Sequence, residues 1–303
     1  MKYILSTLGI LGVLTLSLSL LSLDTIENAS PTQIKTKSTL VKGINPNKDY
    51  FFSGEKVPVH NLDVRERLER ELLSNSYANA TIILNLKHAN RYFPTIERIL
   101  AENNIPEDFK YLAVAESNFR QGTSSAGAKG FWQFMPATAK GYGLEVNSNI
   151  DERMNLEKAT YAACRLLQDY KNKFGTWTLA AAAYNIGEGK LQDELRSQMV
   201  DSYYDLNLYQ ETLRYIFRVM AFKEIMSHPE DYGYNLNSED MYLPLNDILD
   251  QKQVNNSIPN LVEFAKENGT TLRQLRVYNP WLLGNSLENS SGKVYVIKYP
   301  KVG

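Results

Sequence analysis

Helical spacing of apolar residues through residues 61–228 is the feature that most constrains the fold of this chain. The clearest run covers residues 156–174, where apolar side chains recur every three or four positions. It lies between Asn155, a residue type suited to an N-cap, and Gly175, a residue type suited to a helix end. Such spacing buries one face of a helix. The sequence therefore predicts a nearly all-α region here.

Further helices are predicted on both sides of that run. Pro94 and Pro106 each stand at a position suited to a helix start. Another helix is predicted to begin after Thr176, and one more carries the apolar residues from Leu213 to Met220. The spacing thus predicts several helices packed around one core.

Length and composition shifts predict four segments. A chain of 303 residues suffices for one substantial core and a smaller module. We expect an export signal or membrane anchor at residues 1–23 and a polar linker or loosely docked arm at 24–60. A helical domain is expected at 61–235, and a small accessory module at 240–303.

The amino-terminal run from Tyr3 to Leu23 is uncharged and rich in leucine. It is long for a signal peptide and just long enough to span a bilayer, and no small-x-small cleavage site follows it. A cleaved signal and a retained anchor therefore both stay open. Either one predicts export to the periplasm or cell envelope, with membrane association if the run stays attached.

Charge and cysteine content exclude several classes of function. The 33 Lys and Arg residues are balanced by 34 Asp and Glu residues, so no basic field is available to bind a nucleic acid. The single cysteine, Cys164, cannot form an internal disulfide, and its neighbours suggest a buried position on a helix. No Cys or His cluster has the spacing of metal ligands. We expect no metal at the site.

The segment 106–119 (PEDFKYLAVAESNF) places a carboxylate on a predicted apolar face. If Pro106 opens a helix, Glu116 shares a face with Phe109 and Leu112. Partial burial disfavours the charged form and raises the pKa of a carboxyl, which suits a general acid near neutral pH. The alternative is a solvated glutamate at a frayed helix end.

Two later segments have compositions that fit a sugar groove. The small-residue loop 121–130 leads into an aromatic and amide cluster that contains Gln133 and Phe134. Rings can stack on apolar sugar faces while an amide bonds to hydroxyl or acetamido groups. The segment 183–187 (AYNIG) adds a phenol and an amide at a predicted helix end. The alternatives are a hydrophobic plug between helices and an ordinary helix cap.

Three motifs occur in a fixed order: Glu116-Ser117, then 127–138 (GAKGFWQFMPAT), then 183–187 (AYNIG). This ordered set closely resembles the soluble-lytic-transglycosylase (goose-lysozyme-like) family, and within it the membrane-bound transglycosylase D type. The resemblance covers roughly residues 95–228. Since three separate motifs agree in order, the resemblance is specific.

The resemblance implies a mainly α, lysozyme-like catalytic domain with a sugar groove between helices. It implies that Glu116 is the sole catalytic acid and base, and that Tyr215 corresponds to a tyrosine of the cleft. The further residues that it implies along the cleft are Ser117, Gln133, Met135, Tyr184 and Asn185.

No motif supplies the second positioned carboxylate that an inverting glycosidase, or a retaining one with a protein nucleophile, needs. Asp151 and Glu152 precede a predicted helix and are interpreted as capping or ion-pair residues. In the resembling family the muramoyl sugar's own 6-hydroxyl is the nucleophile, and it leaves a 1,6-anhydro end. The resemblance therefore implies cleavage of the β-1,4 bond between N-acetylmuramic acid and N-acetylglucosamine in peptidoglycan strands, without a cofactor.

Two alternatives to this function stay open. A lysozyme-like muramidase on the same fold would release a reducing end, and a non-catalytic protein would only bind peptidoglycan in the envelope. The presence of Glu116 together with its flanking motifs speaks against the second of these.

Residues 240–303 predict a small α+β module. Short helical faces at 261–265 and 271–278 precede a predicted strand at 294–299. This order resembles a LysM module, a small sugar-binding unit. The segment 255–259 (NNSIP) departs from the Gly-Asp-Thr type of turn expected there. The resemblance implies a degenerate LysM-like module, and the alternative is a structural appendage packed on the catalytic domain.

Overall fold

A computed structural model describes residues 44–45 and 47–301, and these form a mainly α protein, as predicted. The amino-terminal run from Tyr3 to Leu23 lies outside the described residues. Within them, no helix is both long enough and apolar enough to cross a bilayer. The elements before the C-terminal module are β1 (Phe51–Phe52), β2 (Glu55–Lys56), α1 (Leu62–Ser76), α2 (Asn79–Glu102), α3 (Lys110–Ser117), α4 (Pro136–Gly141), α5 (Leu156–Phe174), α6 (Trp177–Ile186), α7 (Glu188–Gln198) and α8 (Gln210–Ser227).

Helices α5 and α6 pack against each other in the core. The Asn155 side chain caps α5 by accepting a hydrogen bond from the amide of Lys158, and Gly175 ends it at a φ of 80°. Both boundaries agree with the prediction. Next, Thr176 caps α6, whose residues Ala180–Ala183 are fully buried. Small side chains let neighbouring helices approach closely, which brings the end of α6 near the candidate site.

Helix α2 differs from the prediction at Pro94, which lies inside the helix and does not start one. An interior proline removes one backbone hydrogen bond and commonly costs about 3 kcal/mol. The helix continues because both halves bury apolar residues in the same core, with Ile82 before the proline and Ile96 and Ile99 after it. Burial of both halves outweighs the local penalty.

The end of the predicted linker 24–60 is packed into the core, in contrast to the expected loose arm. Phe52 and Val57 are fully buried. Between them, the Glu55 carboxylate accepts a hydrogen bond of 2.6 Å from the amide of Trp177 at the start of α6. A carboxylate is stabilising there because helix amino termini carry partial positive charge. Apolar residues between polar ones thus dock this segment, although it lacks helical periodicity.

The C-terminal module contains α9 (Leu245–Ile248), β3 (Leu249–Val254), α10 (Leu261–Glu267), α11 (Leu272–Tyr278) and β4 (Tyr295–Pro300). The two predicted helices and the predicted strand are therefore confirmed. Strand β3 was missed, because its burial pattern leaves four successive side chains exposed and gives no alternation. It pairs with β4 in antiparallel register along its full length.

The module packs directly on the loop before α5. The amide of Asp151 donates to the carbonyl of Trp281 at 2.9 Å, and the amide of Leu283 donates to the carbonyl of Asn149 at 2.8 Å. Between these bonds, Ile150 is 2% exposed and belongs to the module's own apolar cluster. The helical region and the module therefore share part of a core.

Candidate active site

Glu116 lies in the last turn of α3, with the buried face of that helix beside it. The helix ends at Asn118, which has a left-handed φ of 47°. The side-chain amide of Asn85, itself buried in α2, donates to the Asn118 side-chain oxygen at 2.8 Å. This contact fixes the helix end, so the carboxyl does not lie on a frayed turn.

The Glu116 side chain is half-buried and accepts a hydrogen bond from the Tyr215 hydroxyl through Oε1. Burial raises the pKa of the Glu116 carboxyl to about 7, against the lowering effects of the Tyr215 hydrogen bond and of the Arg218 charge. The side chain is therefore divided between its protonated and charged forms near neutral pH. A group of this kind can both give and take a proton.

One face of α8 supplies the surroundings of Glu116. Glu211, Tyr215 and Arg218 are spaced four and three positions apart, so they share that face. The negative charge of Glu211 raises the pKa of Glu116, whereas the charge of Arg218 lowers it. Glu211 is exposed and Arg218 is half-buried. The sequence reasoning missed both residues, although their spacing from Tyr215 was the available signal.

Arg153 holds the loop that follows α3, and it too was missed. Its Nε and Nη2 each lie 2.8 Å from the Asp151 carboxylate, and its Nη1 donates to the carbonyls of Gly127 at 2.9 Å and Phe134 at 3.0 Å. No sequence signal identifies carbonyls as partners of an arginine. The arginine thus links the two ends of the segment 127–134.

The interpretation of Asp151 and Glu152 as ion-pair residues is confirmed. Burial raises the pKa of Asp151, but hydrogen bonding and charge from Arg153 outweigh it, so the pKa is lowered overall. Glu152 is 1% exposed and forms ion pairs with Lys158 and Lys293. Neither acid contacts Glu116, so both carboxylates serve to hold the structure together through their ion pairs.

Gly130 lies where a side chain does not fit. It has a φ of 80°, and a Cβ atom there would lie 1.9 Å from the Arg153 carbonyl oxygen. Gln133 follows with a φ of 46°, and its side-chain amide donates to the Gly130 carbonyl at 2.8 Å. This tight turn keeps the predicted substrate residue Gln133 half-buried beside the loop.

Tyr184 and Asn185 lie at the end of α6, as the motif implied. The Tyr184 hydroxyl donates to the Trp132 carbonyl at 2.6 Å. Burial, and then the negative charge of Glu116, raise the pKa of Tyr184 well above its usual value. Asn185 is half-buried, and within 44–45 and 47–301 its side-chain amide has no hydrogen-bonding partner. The Tyr184 phenol is therefore close enough for the carboxylate charge to act on it.

The remaining expected site residues differ in exposure. Ser117 is buried, and its hydroxyl donates to the Ala113 carbonyl at 3.0 Å. The ring of Phe134 is 2% exposed and packs against Tyr184, with centroids 6.1 Å apart. Met135 is 43% exposed. The structure thus places Tyr184 and Tyr215 near Glu116, buries Ser117 and Phe134 behind them, and leaves Met135 at the surface.

No group of three His, Cys, Asp or Glu side chains able to hold a metal ion occurs in the described part of the chain. Cys164 is buried, and burial raises the pKa of its thiol to about 12. The groups that act on the Glu116 carboxyl are therefore the phenols of Tyr215 and Tyr184 and the charges of Arg218 and Glu211.

Comparisons with known proteins find matches to two protein families. Residues 94–207 match the family model of the transglycosylase SLT domain. Residues 250–303 match that of the soluble lytic transglycosylase C-terminal LysM-like domain. The first range contains Glu116 and Tyr184, and the second contains most of the module. The resemblance inferred from the motifs is thereby confirmed.

The chain is similar to the membrane-bound lytic murein transglycosylase D of Escherichia coli, with 29% identity over 265 residues, covering 84% of this chain and 56% of that protein. It therefore spans little more than half the length of that relative. Peptidoglycan transglycosylase gp16 of Escherichia phage T7 is 43% identical over 83 residues, which cover 26% of this chain and 6% of that protein.

A solved structure of an inactive mutant of lytic transglycosylase Slt from Pseudomonas aeruginosa is 18% identical and covers 50% of this chain and 26% of that chain, with a TM-score of 0.35. That score is too low to establish a shared fold. The two family matches are what identify the chain: it carries a transglycosylase SLT domain followed by a LysM-like domain of the soluble lytic transglycosylase type.

Proposed function

We propose that this protein is a lytic transglycosylase that cleaves the β-1,4 bond between N-acetylmuramic acid and N-acetylglucosamine in peptidoglycan. The observation that carries the proposal is the half-buried Glu116 carboxyl, whose pKa burial raises to about 7 and which accepts a hydrogen bond from Tyr215. The names of the two similar transglycosylases support the choice of substrate.

In the first step, protonated Glu116 gives its proton to the glycosidic oxygen. The Tyr215 hydroxyl occupies Oε1, so Oε2 is the oxygen free to carry the acidic proton. As the bond from the muramoyl C1 to that oxygen breaks, positive charge develops on the sugar ring. The developing Glu116 carboxylate, and its hydrogen bond from Tyr215, stabilise this charge separation.

In the second step, the 6-hydroxyl of the same muramoyl sugar attacks C1 and gives its proton to the Glu116 carboxylate. This forms a 1,6-anhydro ring and restores the protonated acid, so no water is consumed. The attack is intramolecular, and holding the reacting atoms together can lower the activation barrier by about 7–11 kcal/mol. One glutamate then suffices for both proton transfers.

A muramidase is the second candidate, and Glu211 favours it. The charge of this exposed carboxylate reaches Glu116 from the same face of α8. A second carboxylate could position an attacking water, as an inverting glycosidase requires. Its exposure speaks against that role, because a general base works best when its geometry is held by neighbouring groups.

Product analysis separates the two candidates. Purified sacculi are digested with the full-length protein, and the fragments are examined by mass spectrometry before and after borohydride treatment. A transglycosylase gives muramoyl ends that resist reduction and weigh one water less than muramidase products. Reducible muramoyl ends as the main product would contradict the proposal and assign the muramidase reaction. If a Glu211→Gln variant retains activity, Glu211 does not position an attacking water.

We also propose that the protein works in the cell envelope, where its substrate lies, and that its C-terminal module binds peptidoglycan. The similarity to a membrane-bound transglycosylase and the LysM-like match support this. A module that binds the polymer raises local substrate concentration without contacting the cleaved bond. Substitutions in the module should then reduce the amount of protein that pellets with sacculi more than they reduce the turnover of short soluble glycans. If the variants and the wild type pellet equally, the module is a structural appendage.

A further inference from the structure

We propose that the cavity between the helical domain and the C-terminal module is a sugar-binding subsite for a distant unit of the glycan strand. This inference rests on the proposed function, because it adds a subsite to the same substrate. The helical domain contributes Tyr92, Gln121 and Asn155 to its wall, and the module contributes Tyr278, Trp281 and Lys298.

The cavity has dimensions suited to a small organic group. Its enclosed space is about 70 Å³, and beyond that the cavity is open to solvent. A buried water needs roughly 10–15 Å³ of such space, so the enclosed part holds one substituent of a sugar, such as an acetamido group, with the ring at the open mouth. Its walls do not separate easily, because the Trp281 carbonyl accepts the Asp151 amide at 2.9 Å beside it. The cavity is thus a fixed feature of the domain junction.

The wall combines aromatic and amide side chains. The Trp281 ring is 3% exposed and packs flat against Tyr295 with centroids 5.6 Å apart, but the Tyr92 and Tyr278 rings are half-buried, so part of each of these two rings stays accessible. Rings of this kind stack on the apolar faces of sugars, whereas Gln121 and Asn155 can bond to hydroxyl or acetamido groups. This combination fits an N-acetylated amino sugar.

The charged side chains of the wall differ in their partners. Lys298 forms an ion pair with Glu157, whereas Arg91 donates through Nε to the Leu243 carbonyl at 3.2 Å and has no acidic partner among the described residues. A buried charge without a partner is costly, so Arg91 could also attract a carboxylate of a stem peptide. The test below therefore includes competition by a free stem peptide.

The cavity is continuous with the loop of the candidate active site. Tyr92 packs on Phe119 and Phe131 of that loop, with ring centroids 5.6 Å and 4.9 Å apart. Gln121 lies five positions after Glu116, so their Cα atoms are at most ~18 Å apart. The separation between Glu116 and this wall residue is therefore one that a strand of a few sugar units can span.

The test uses the full-length protein and a β-1,4-linked N-acetylglucosamine hexamer. The chain has three tryptophans, so the indole N–H signal of Trp281 can be assigned by comparison with a Trp281→Phe variant in ¹⁵N-labelled protein. We expect the hexamer to shift this signal. Tyr278→Ala should lower the hexamer affinity measured by calorimetry by about three- to tenfold, because a stacking ring is lost.

Two further variants keep this test specific. Val277 is 49% exposed at the cavity wall, so Val277→Phe fills the space without removing a core side chain and should cause the same loss of affinity. Gln274→Ala changes an exposed residue of the same helix that does not line the cavity, and it should have no effect. Thermal melting of each variant checks that it is folded.

Each outcome decides between the proposals. No binding of the hexamer, or binding without a Trp281 shift and without loss in the two cavity variants, overturns the subsite and leaves the proposed function standing. Competition by a free stem peptide at the Trp281 signal would assign the cavity to peptide and overturn the sugar class. Retained cleavage by Glu116→Gln would instead contradict the proposed function, and the Trp281 measurement would be unaffected by it.

Discussion

The region around Glu116 and the C-terminal module are built by different kinds of contact. Around Glu116, side chains from α3, α6 and α8 converge because each helix buries its apolar face in one core. The module is held by backbone hydrogen bonds at Asn149 and Asp151, by the shared residue Ile150, and by ion pairs across the junction. The helix packing around Glu116 follows from the spacing of apolar residues along the chain, whereas the contacts that hold the module follow from no such spacing.

The two regions nevertheless meet in one short segment. The Asp151 amide bonds to the module, its carboxylate bonds to Arg153, and Arg153 bonds to the loop that carries Gln133. Loss of the module would remove partners from this segment as well as a sugar-binding surface. Deletion of residues 240–303 would therefore change both peptidoglycan binding and the stability of the helical region. Point variants separate these two effects better.

The largest effect is expected from Glu116→Gln. The amide keeps the shape of the side chain but has no acidic proton, and loss of a general acid or base commonly lowers a rate by about 10²–10⁴-fold. Turnover of purified sacculi measures this. Digestion by the variant at the wild-type rate would show that Glu116 is not the catalytic acid.

The same variant also tests the raised pKa of Glu116. Because burial raises the folded-state pKa above the ordinary value of 4.5 to about 7, the folded protein binds more protons than the unfolded chain between these values. Its stability should therefore fall as the pH rises through that window. Glu116→Gln removes this loss, so at pH 8 the variant should be more stable than wild type, by an amount on the order of 1–3 kcal/mol. Equal pH profiles of unfolding free energy would contradict the raised pKa.

The second largest effect is expected from Arg153→Met, which removes the link between the two regions. Breaking a buried ion pair by removing one partner commonly costs about 3–5 kcal/mol, because the remaining charge is left uncompensated. Asp151 is 2% exposed and would keep Lys129, at 3.3 Å, as a partner, so we expect a loss at the lower end of this range. Urea unfolding measures the loss. Arg196→Met is the matched control, since Arg196 forms an exposed ion pair at 3.9 Å, and a similar loss in both variants would contradict the role of burial.

Ile150→Ala tests the core shared by the two regions. Truncating a buried isoleucine to alanine commonly costs about 2–5 kcal/mol, through lost burial and the cavity left behind. Ile150 belongs to the loop before α5 in the helical region and packs in the apolar cluster of the module. The loss of unfolding free energy should therefore appear in one transition in which the module and the helical region unfold together. Two separate unfolding transitions in the wild type would show that the regions are independent.

The sequence predicted the helices and the motif residues because both depend on local patterns. The boundaries of α5 are predicted by Asn155 and Gly175, whereas Glu116 is assigned by the resemblance of the ordered motifs, since its place on an apolar face left a solvated helix end open. Pro94 was misplaced, because local preference for a helix start was overridden by burial on both sides of it. Contacts between distant segments leave no periodic trace in a single sequence, which is why the partners of Arg153 and the charges of α8 were missed.

A smaller effect is expected from Tyr215→Phe. The variant loses the hydrogen bond to Glu116 Oε1, and that bond lowers the pKa of the carboxyl. We expect kcat/KM to fall by about tenfold and the alkaline limb of the pH–rate profile to move to higher pH. Tyr77→Phe changes an exposed tyrosine at the end of α1 and is the control. An unchanged pH profile would show that Tyr215 does not act through Glu116.

The smallest effect is expected from Lys293→Met, which removes an ion pair across the junction and leaves the shared core intact. The Lys293 ammonium lies 2.7 Å from Glu145 and 3.1 Å from Glu152, but its side chain is 37% exposed and water screens the attraction. Glu152 also keeps Lys158 as a partner in the variant. Exposed pairs contribute about 0–1 kcal/mol, so the unfolding free energy should change by less than Ile150→Ala changes it, and the difference from wild type should shrink further in high salt. If Lys293→Met destabilised the protein more than Ile150→Ala, charge would hold the module in place, and the contrast drawn between the two regions would have to be reversed.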